Sequence, residues 1–445
     1  MVALKKIRIK KFWHGIIQAV ASLATVNHCC PALRSGWVAM LLMGTMPSLA
    51  QDFSTYFQDK TLRIDYIFSG NHDTQHIAVD EMLVEPRWYG KRTHLAEVPV
   101  EGNGQITMRD HRTQRVIYRQ SFSTLFQEWQ TYDEAKTKSR AFENVFLVPM
   151  PRDTADITID LRDNRRRVSS ELRHQVAPSD ILIRQIGYKD VTPYVTVQQA
   201  ADTTRCIHLA FLAEGYRKEE MPTFVADVKM AMESLFAHEP FKSNRSKFNI
   251  VAVEAPSEES GASEPGKGIW KNTTLHSNWD TFFSERYLTT LHLKDMHNRL
   301  AGTPYEHILV LVNSERYGGG GILNSYILAT AHNKWSKPVI VHEFGHSFAG
   351  LADEYAYEQE QLEMYPSDVE PWEKNITTKV DFKGKWENLI GKDRRAGFYE
   401  GAGYKLKGVY RAYPDCRMRT NENPEFCPAC QQALQSIINF YAGAE

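Results

Sequence analysis

The chain has 445 residues and sets 53 Lys and Arg against 54 Asp and Glu, a formal net charge of −1. That balance excludes a broad basic face for nucleic acid or acidic lipid. Hydrophobic residues make up 42% and charged residues 24%, the composition of a soluble globular chain, and the length suffices for two or three domains with more than one core.

The first 50 residues differ from the rest. MVALKKIRIKK carries five Lys and Arg, and apolar runs follow, the second within GWVAMLLMGTMPSLAQDF. Ser48-Leu49-Ala50 before Gln51 has the small-x-small form of a signal-peptidase site. The expectation is an export signal over residues 1–50, cleaved near Ala50, which leaves the mature protein secreted, periplasmic or on the cell surface. The competing reading is a membrane anchor. Neither apolar run reaches the ~20 residues that a spanning helix needs, so no stable membrane span is expected after cleavage.

Residues 51–185 read as β. TLRIDYIF, QHIAVDEMLV, GQITMRD, RVIYRQSF, NVFLVPMP and DITIDLR are short segments with period-two alternation or apolar runs, several of them separated by turn residues. SFSTLFQEWQTYDEAKTK has room for a short helix. The expected architecture is a β-sandwich accessory domain, with its Asp, Arg and His residues on solvated strand faces and no visible chemistry.

From residue 186 strand and helix signals alternate. CIHLAFLAEGY reads as a strand ending in a glycine turn. Met221, Val225, Val228, Met232 and Leu235 then form a helical stripe. KFNIVAVEAP and EHILVLVNS are further strands, and HLKDMHNRL a short helix between them. After Gly318-Gly319-Gly320-Gly321 come the strand-like SYILATA and a helix carrying VIVHEFGHSFAGLADEY. CPACQQALQSIINFYA is the last strong helix. This is an α/β layer with helices on a mostly parallel or mixed sheet.

His342-Glu343-x-x-His346 sits on a helix predicted over residues 337–349, with Ser336 as N-cap, Pro338 in the first turn and Gly350 at C′. Histidines four apart project from one face, about 6 Å apart along the axis, within reach of one Zn²⁺. Glu343 beside them is the candidate general base and acid.

Two histidines leave a third ligand to find. A thermolysin-like arrangement would draw a glutamate from a helix about twenty residues on. Glu358, Glu360, Glu363 and Glu370 are available there, but Pro366 and Pro371 argue against that helix. The HExxHxxGxxH spacing puts Ala352 in the third place, and alanine binds no metal. Counting from the glycine instead gives Gly350-x-x-Asp353. On an unbroken helix Asp353 would lie ~10.5 Å beyond His346, whereas a reversal at Gly350 with φ > 0 brings it back under the metal. Asp353 is therefore the expected third ligand. Glu354 is its rival, and a second-shell role for Asp353 is the alternative.

HEFGHSFAGLADEY resembles the active-site motif of the bacterial immunoglobulin-A peptidase family of zinc metallopeptidases. LAFLAEGY, KFNIVAVEAPSEESG, RYGGGGILN and the cysteine-rich end agree with it, so the resemblance covers about residues 186–445. The β-rich segment before them is similar to the N-terminal domain that accompanies many members. The resemblance implies an α+β multidomain protein: a β-sandwich over 51–185 and a metzincin-like zincin α/β catalytic domain over 186–445. It implies an exported zinc endopeptidase, with His342, His346 and Asp353 on zinc and Glu343 as general base and acid. It does not imply that immunoglobulin A is cleaved. The expected partner is a protein or peptide substrate, which a host could supply, and a monomer is expected. The alternative is a non-catalytic zinc-fold protein that recognises a host protein or glycan.

Other candidates carry less. Gly318 to Gly321 reads either as a surface turn or as a substrate-pairing rim. Met418 is a methionine turn beneath the zinc on the strength of the resemblance, and otherwise core packing. Cys206 reads as a buried free thiol. Cys416, Cys427 and Cys430 are too few for a structural zinc site unless a histidine joins them, and in an exported protein a disulfide from Cys416 to Cys427 or Cys430 is expected. Tyr410 and Tyr413 are candidate oxyanion donors. Glu258 and Glu259 are candidates for a calcium loop.

Overall fold

The computed structural model describes residues 52–357 and 364–443. The export-signal reading of residues 1–50, with Cys29 and Cys30, lies outside them, as do Glu358, Glu360 and Glu363. Among the described residues no helix is long and apolar enough to cross a membrane.

The N-terminal half is β-rich. After a short helix α1 (Phe53–Tyr56) come β1 (Phe57–Gly70), β2 (Gln75–Glu85), β3 (Gly104–Asp110) and β4 (Val116–Phe122). Helix α2 (Leu125–Trp129) precedes β5 (Arg140–Pro151), β6 (Ala155–Arg162), β7 (Val168–Val176) and the two-residue β8 (Arg184–Gln185). They form two four-stranded sheets, β5-β1-β2-β8 and β4-β3-β6-β7. Alternation drives the pairing: in β6, Ala155, Ile157, Ile159 and Leu161 are fully buried, while Asp156, Thr158 and Asp160 point the other way. The sheets meet through aromatic rings. Phe68 and Phe146 of one sheet lie 6.3 and 4.4 Å from Phe122 of the other. Two features depart from the sequence reading. The strand β7 was not expected, because VSSELRHQV has little apolar signal. Nor do all the charged residues lie on solvated faces: Arg63 and Asp65 are fully buried and paired at 2.7 Å, and Arg63 reaches Asn298 in the second half.

The second half is built on a six-stranded sheet. Its strands are β9 (Tyr194–Gln198), β10 (Ile207–Glu214), β11 (Phe248–Val253), β12 (His307–Val312), β13 (Gly319–Gly321) and β14 (Tyr326–Thr330), in the order β13-β14-β12-β10-β11-β9. The four inner strands are parallel and both edges antiparallel. β10 and β12 are buried along their whole length, as parallel strands covered on both faces must be. Successive residues feed two cores. Leu209, Phe211, Leu309 and Leu311 pack under α3 (Met221–Phe236), α5 (Ser336–Ala349) and α6 (Pro428–Ala442). Leu212, Ile308, Val310 and Val312 join the cluster that continues into α4 (Leu293–Leu300) and the N-terminal sheets. One apolar cluster therefore crosses from the β-rich half into the second. A small sheet, β15 (Ile376–Thr377), β17 (Lys405–Arg411) and β16 (Tyr399–Ala402), completes the mixed α+β fold.

Candidate metal centre and cleft

The site is organised by α5. The helix begins at Ser336, one residue before the predicted start, and Ser336 is not its N-cap; its hydroxyl accepts the Asn333 N–H instead. The end is as the glycine demands. Gly350 has φ 59° and ψ 36°, and two N–H groups fold back, Gly350 to the His346 carbonyl and Leu351 to that of Gly345. This left-handed closure turns the chain under the helix. A Cβ on Gly350 would stand 2.4 Å from the Trp372 ring.

The turn brings Asp353 to the two histidines. His342 Nε2 and His346 Nε2 are 3.0 Å apart, and Asp353 Oδ1 lies 3.0 and 3.3 Å from them. The outward nitrogens are already used: His342 Nδ1 faces the Arg417 carbonyl at 3.0 Å and His346 Nδ1 the Leu351 carbonyl. A carbonyl only accepts, so each Nδ1 carries a proton and each Nε2 is left facing the pocket. Two imidazole nitrogens and a carboxylate oxygen then converge on one point, a set that suits a metal cation, or protons in its absence. Separations of 3.0–3.3 Å approach the edge of a tetrahedron around a metal with bonds of about 2.1 Å. Asp353 Oδ1 is buried and has no partner besides the two imidazole nitrogens, a placement that suits a ligand atom. A second-shell aspartate would face the outward nitrogens instead.

Electrostatics agree. Burial pulls the His346 imidazole down, but Asp353 more than reverses this, to about 9. Burial pushes the Asp353 carboxyl up, yet the two histidines hold it well below the usual carboxylate range. The pocket draws positive charge. Burial raises Glu343, with the histidines opposing.

The surroundings supply what sequence reasoning missed. The Tyr404 hydroxyl, at the β16–β17 turn, donates to Asp353 Oδ2, and the Gly403 N–H donates to the Asp353 carbonyl at 2.9 Å. Met418 is fully buried, and its sulfur would stand 2.8 Å from a Cβ on Gly345, between the two histidines. Its carbonyl accepts the Glu354 N–H at 2.8 Å. Glu354 itself turns away from the histidines toward Cys430. Glu370 pairs with Lys385 at 2.8 Å. Neither reaches the histidine pair.

A cleft of about 540 Å³ opens over these residues. One wall is β13: Gly319 leaves room for Glu343, whose Oε1 would be 2.8 Å from an added Cβ, and Gly321 presses on the Glu343 backbone. The glycine run is thus an edge strand packed on α5, bridged once to Tyr287. Another wall comes from the β-rich half, through Asn103, Ser123, Thr124 and Glu128. Burial pushes Glu128 up to about 7, and it accepts a 2.7 Å bond from Tyr287. Chemistry-bearing groups therefore do come from that half. Tyr410 and Tyr413 do not line the cleft: Tyr410 lies under Lys379 and Tyr413 bonds Asp393.

The cysteines also differ from expectation. Cys416, Cys427 and Cys430 are free and buried, not paired, with the Cys416 and Cys430 sulfurs 3.7 Å apart, too far for a disulfide; Cys206 is a buried free thiol, as expected. Glu258 and Glu259 belong to neither of the metal-capable groups among the described residues.

Comparison with known families follows the same division of the chain. The family model described as IgA Peptidase M64 matches residues 195–396 and 392–438, and that described as Peptidase M64 N-terminus matches residues 52–173. No curated protein matches the chain.

Proposed function

The chain belongs to the M64 peptidase family, and from that premise we propose that it is an exported zinc-dependent endopeptidase of metzincin-like plan. The observation that carries the reading is the convergence of His342 Nε2, His346 Nε2 and Asp353 Oδ1 beside the half-buried side chain of Glu343. Zinc bound by these three residues would polarise the scissile carbonyl and make a water molecule acidic enough to attack near neutral pH.

The protein's own groups do the rest. Glu343 takes the proton of the attacking water and returns it to the leaving amine. Tyr404 holds the Asp353 carboxylate through Oδ2, which leaves Oδ1 directed at the histidines. The Arg417 and Leu351 carbonyls fix the two imidazole tautomers. Met418 supports the helix at Gly345 in the manner of a methionine turn. The Gly319–Gly321 strand lines the cleft, and an extended peptide would lie along it.

The test is N-terminal mapping of fragments from a proteome-derived peptide library, with Glu343→Gln as control. Wild-type protein should cleave internal bonds, and Glu343→Gln should lose roughly 10²-fold or more in rate while keeping its zinc. A zinc-loaded wild type that cleaves nothing, yet captures an intact protein or glycan equally well with Glu343→Gln, would replace this reading with a binding protein.

A further inference from the structure

A second cluster lies behind the first. The side chains of Glu354, Cys416, Cys427 and Cys430 are all buried, and their ligand atoms lie within 4.8 Å of one another. We propose that these four residues form a closed structural zinc site, separate from the centre at His342.

The distances are those of a metal site, not of a disulfide. Cys416 Sγ and Cys430 Sγ are 3.7 Å apart. Two sulfurs on one zinc at bonds of about 2.3 Å stand about 3.8 Å apart in a tetrahedron, whereas a disulfide needs about 2.05 Å. Glu354 Oε1 is 3.1 Å from Cys430 Sγ. Its other oxygen, Oε2, is fully buried and has no partner, an arrangement that costs free energy unless the carboxylate binds something. The Cys427 N–H donates to Cys416 Sγ at 3.1 Å, a bond that suits a thiolate better than a thiol. Four anionic ligands around a divalent cation leave excess negative charge. Two buried guanidiniums stand ready to offset it, Arg411 acting on Glu354 and Arg417 on Cys416.

Three thiolates and a carboxylate fill all four positions, so the site is structural and not catalytic. Its placement gives it a task. Glu354 follows Asp353 directly. Cys416 precedes Arg417 and Met418, whose carbonyls receive His342 and Glu354. Cys427 and Cys430 open α6. One ion would therefore clamp the Asp353 loop, the segment beneath α5 and the C-terminal helix together. The sequence hinted at this only as three cysteines lacking a fourth partner; the partner is Glu354, more than sixty residues earlier in the chain.

The test is metal analysis of the full-length chain with cobalt substitution. Wild type should hold two zinc ions per chain, and the cobalt form should show a thiolate-to-cobalt charge-transfer band in the near ultraviolet. His346→Ala should fall to one ion and keep that band. Cys430→Ser and Glu354→Gln should each lose the second ion and, with it, the band. The wild-type measurements stand even if the variants fail to fold. One ion per wild-type chain without a thiolate band, or a Cys416–Cys430 disulfide in mapped peptides, would overturn the proposal. Because the band reports thiolates alone, its outcome is independent of whether the histidine centre cleaves peptides.

Discussion

Replacing Tyr404 by Phe removes one hydroxyl and little else. The ring keeps its edge contact with Tyr355 at 5.5 Å, and the backbone bonds from Tyr404 to Tyr355 and from Gly403 to Asp353 remain. What is lost is the donor on Asp353 Oδ2, in a carboxylate 6% exposed. A hydrogen bond to a charged group is worth about 1.5–3 kcal/mol, which converts to roughly 10- to 150-fold in affinity. Outer-sphere partners of metal ligands cost about 10- to 100-fold when removed, the same range. Tyr404→Phe should therefore bind zinc at the histidine centre one to two decades more weakly, measured by competition with a chromogenic chelator on the full chain. Tyr410→Phe, outside the cleft, is the control and should change nothing. An affinity for Tyr404→Phe equal to wild type would refute the argument that this hydroxyl sets the third ligand.

Gly350→Ala forces a left-handed residue to carry a Cβ 2.4 Å from Trp372; the conformation costs about 1–2 kcal/mol and the overlap about 1–3 more, so the melting temperature should fall and zinc content with it. Gly319→Ala places a methyl 2.6 Å from Val339 and 2.8 Å from Glu343 Oε1; peptide cleavage should drop while zinc stays bound, and a loss of zinc instead would contradict the geometry. The pH dependence follows from His346. Its folded pKa is raised from 6.5 to about 9 in the absence of metal, so its contribution to stability is complete below pH 6.5 and disappears as pH rises through about 9. Zinc must displace that proton. The rise in melting temperature on adding zinc should widen from pH 6.5 to pH 9, and a constant difference would show that His346 is not a ligand.

Much of the centre was legible along the chain because its parts are local. The i, i+4 spacing sets His342 and His346 on one face of any helix. A glycine at the helix end lets the chain reverse, so an aspartate three residues on can come back under the helix. Alternation marked most of the N-terminal strands, and the long apolar runs marked β10 and β12. Where local rules competed the reading slipped: Ser336 looks like an N-cap, but Asn333 binds its hydroxyl first. The strand β7 has polar residues because much of it is exposed, so no apolar pattern announced it.

Which distant groups meet depends on how the layers pack. Tyr404 reaches Asp353 across 51 residues, Tyr287 reaches Glu128 across 159, and Cys430 reaches Glu354 across 76. None of these pairs leaves a period or a spacing in the sequence, because each is made by packing one layer on another. Local backbone geometry was enough to place His342, Glu343 and His346 on one helix and to favour Asp353 over Glu354 as the residue that returns beneath them. The close packing of the sheet, the β-rich half and the C-terminal helix decided how that site is walled, oriented and held, because contacts between layers depend on the whole fold and not on neighbours in the chain.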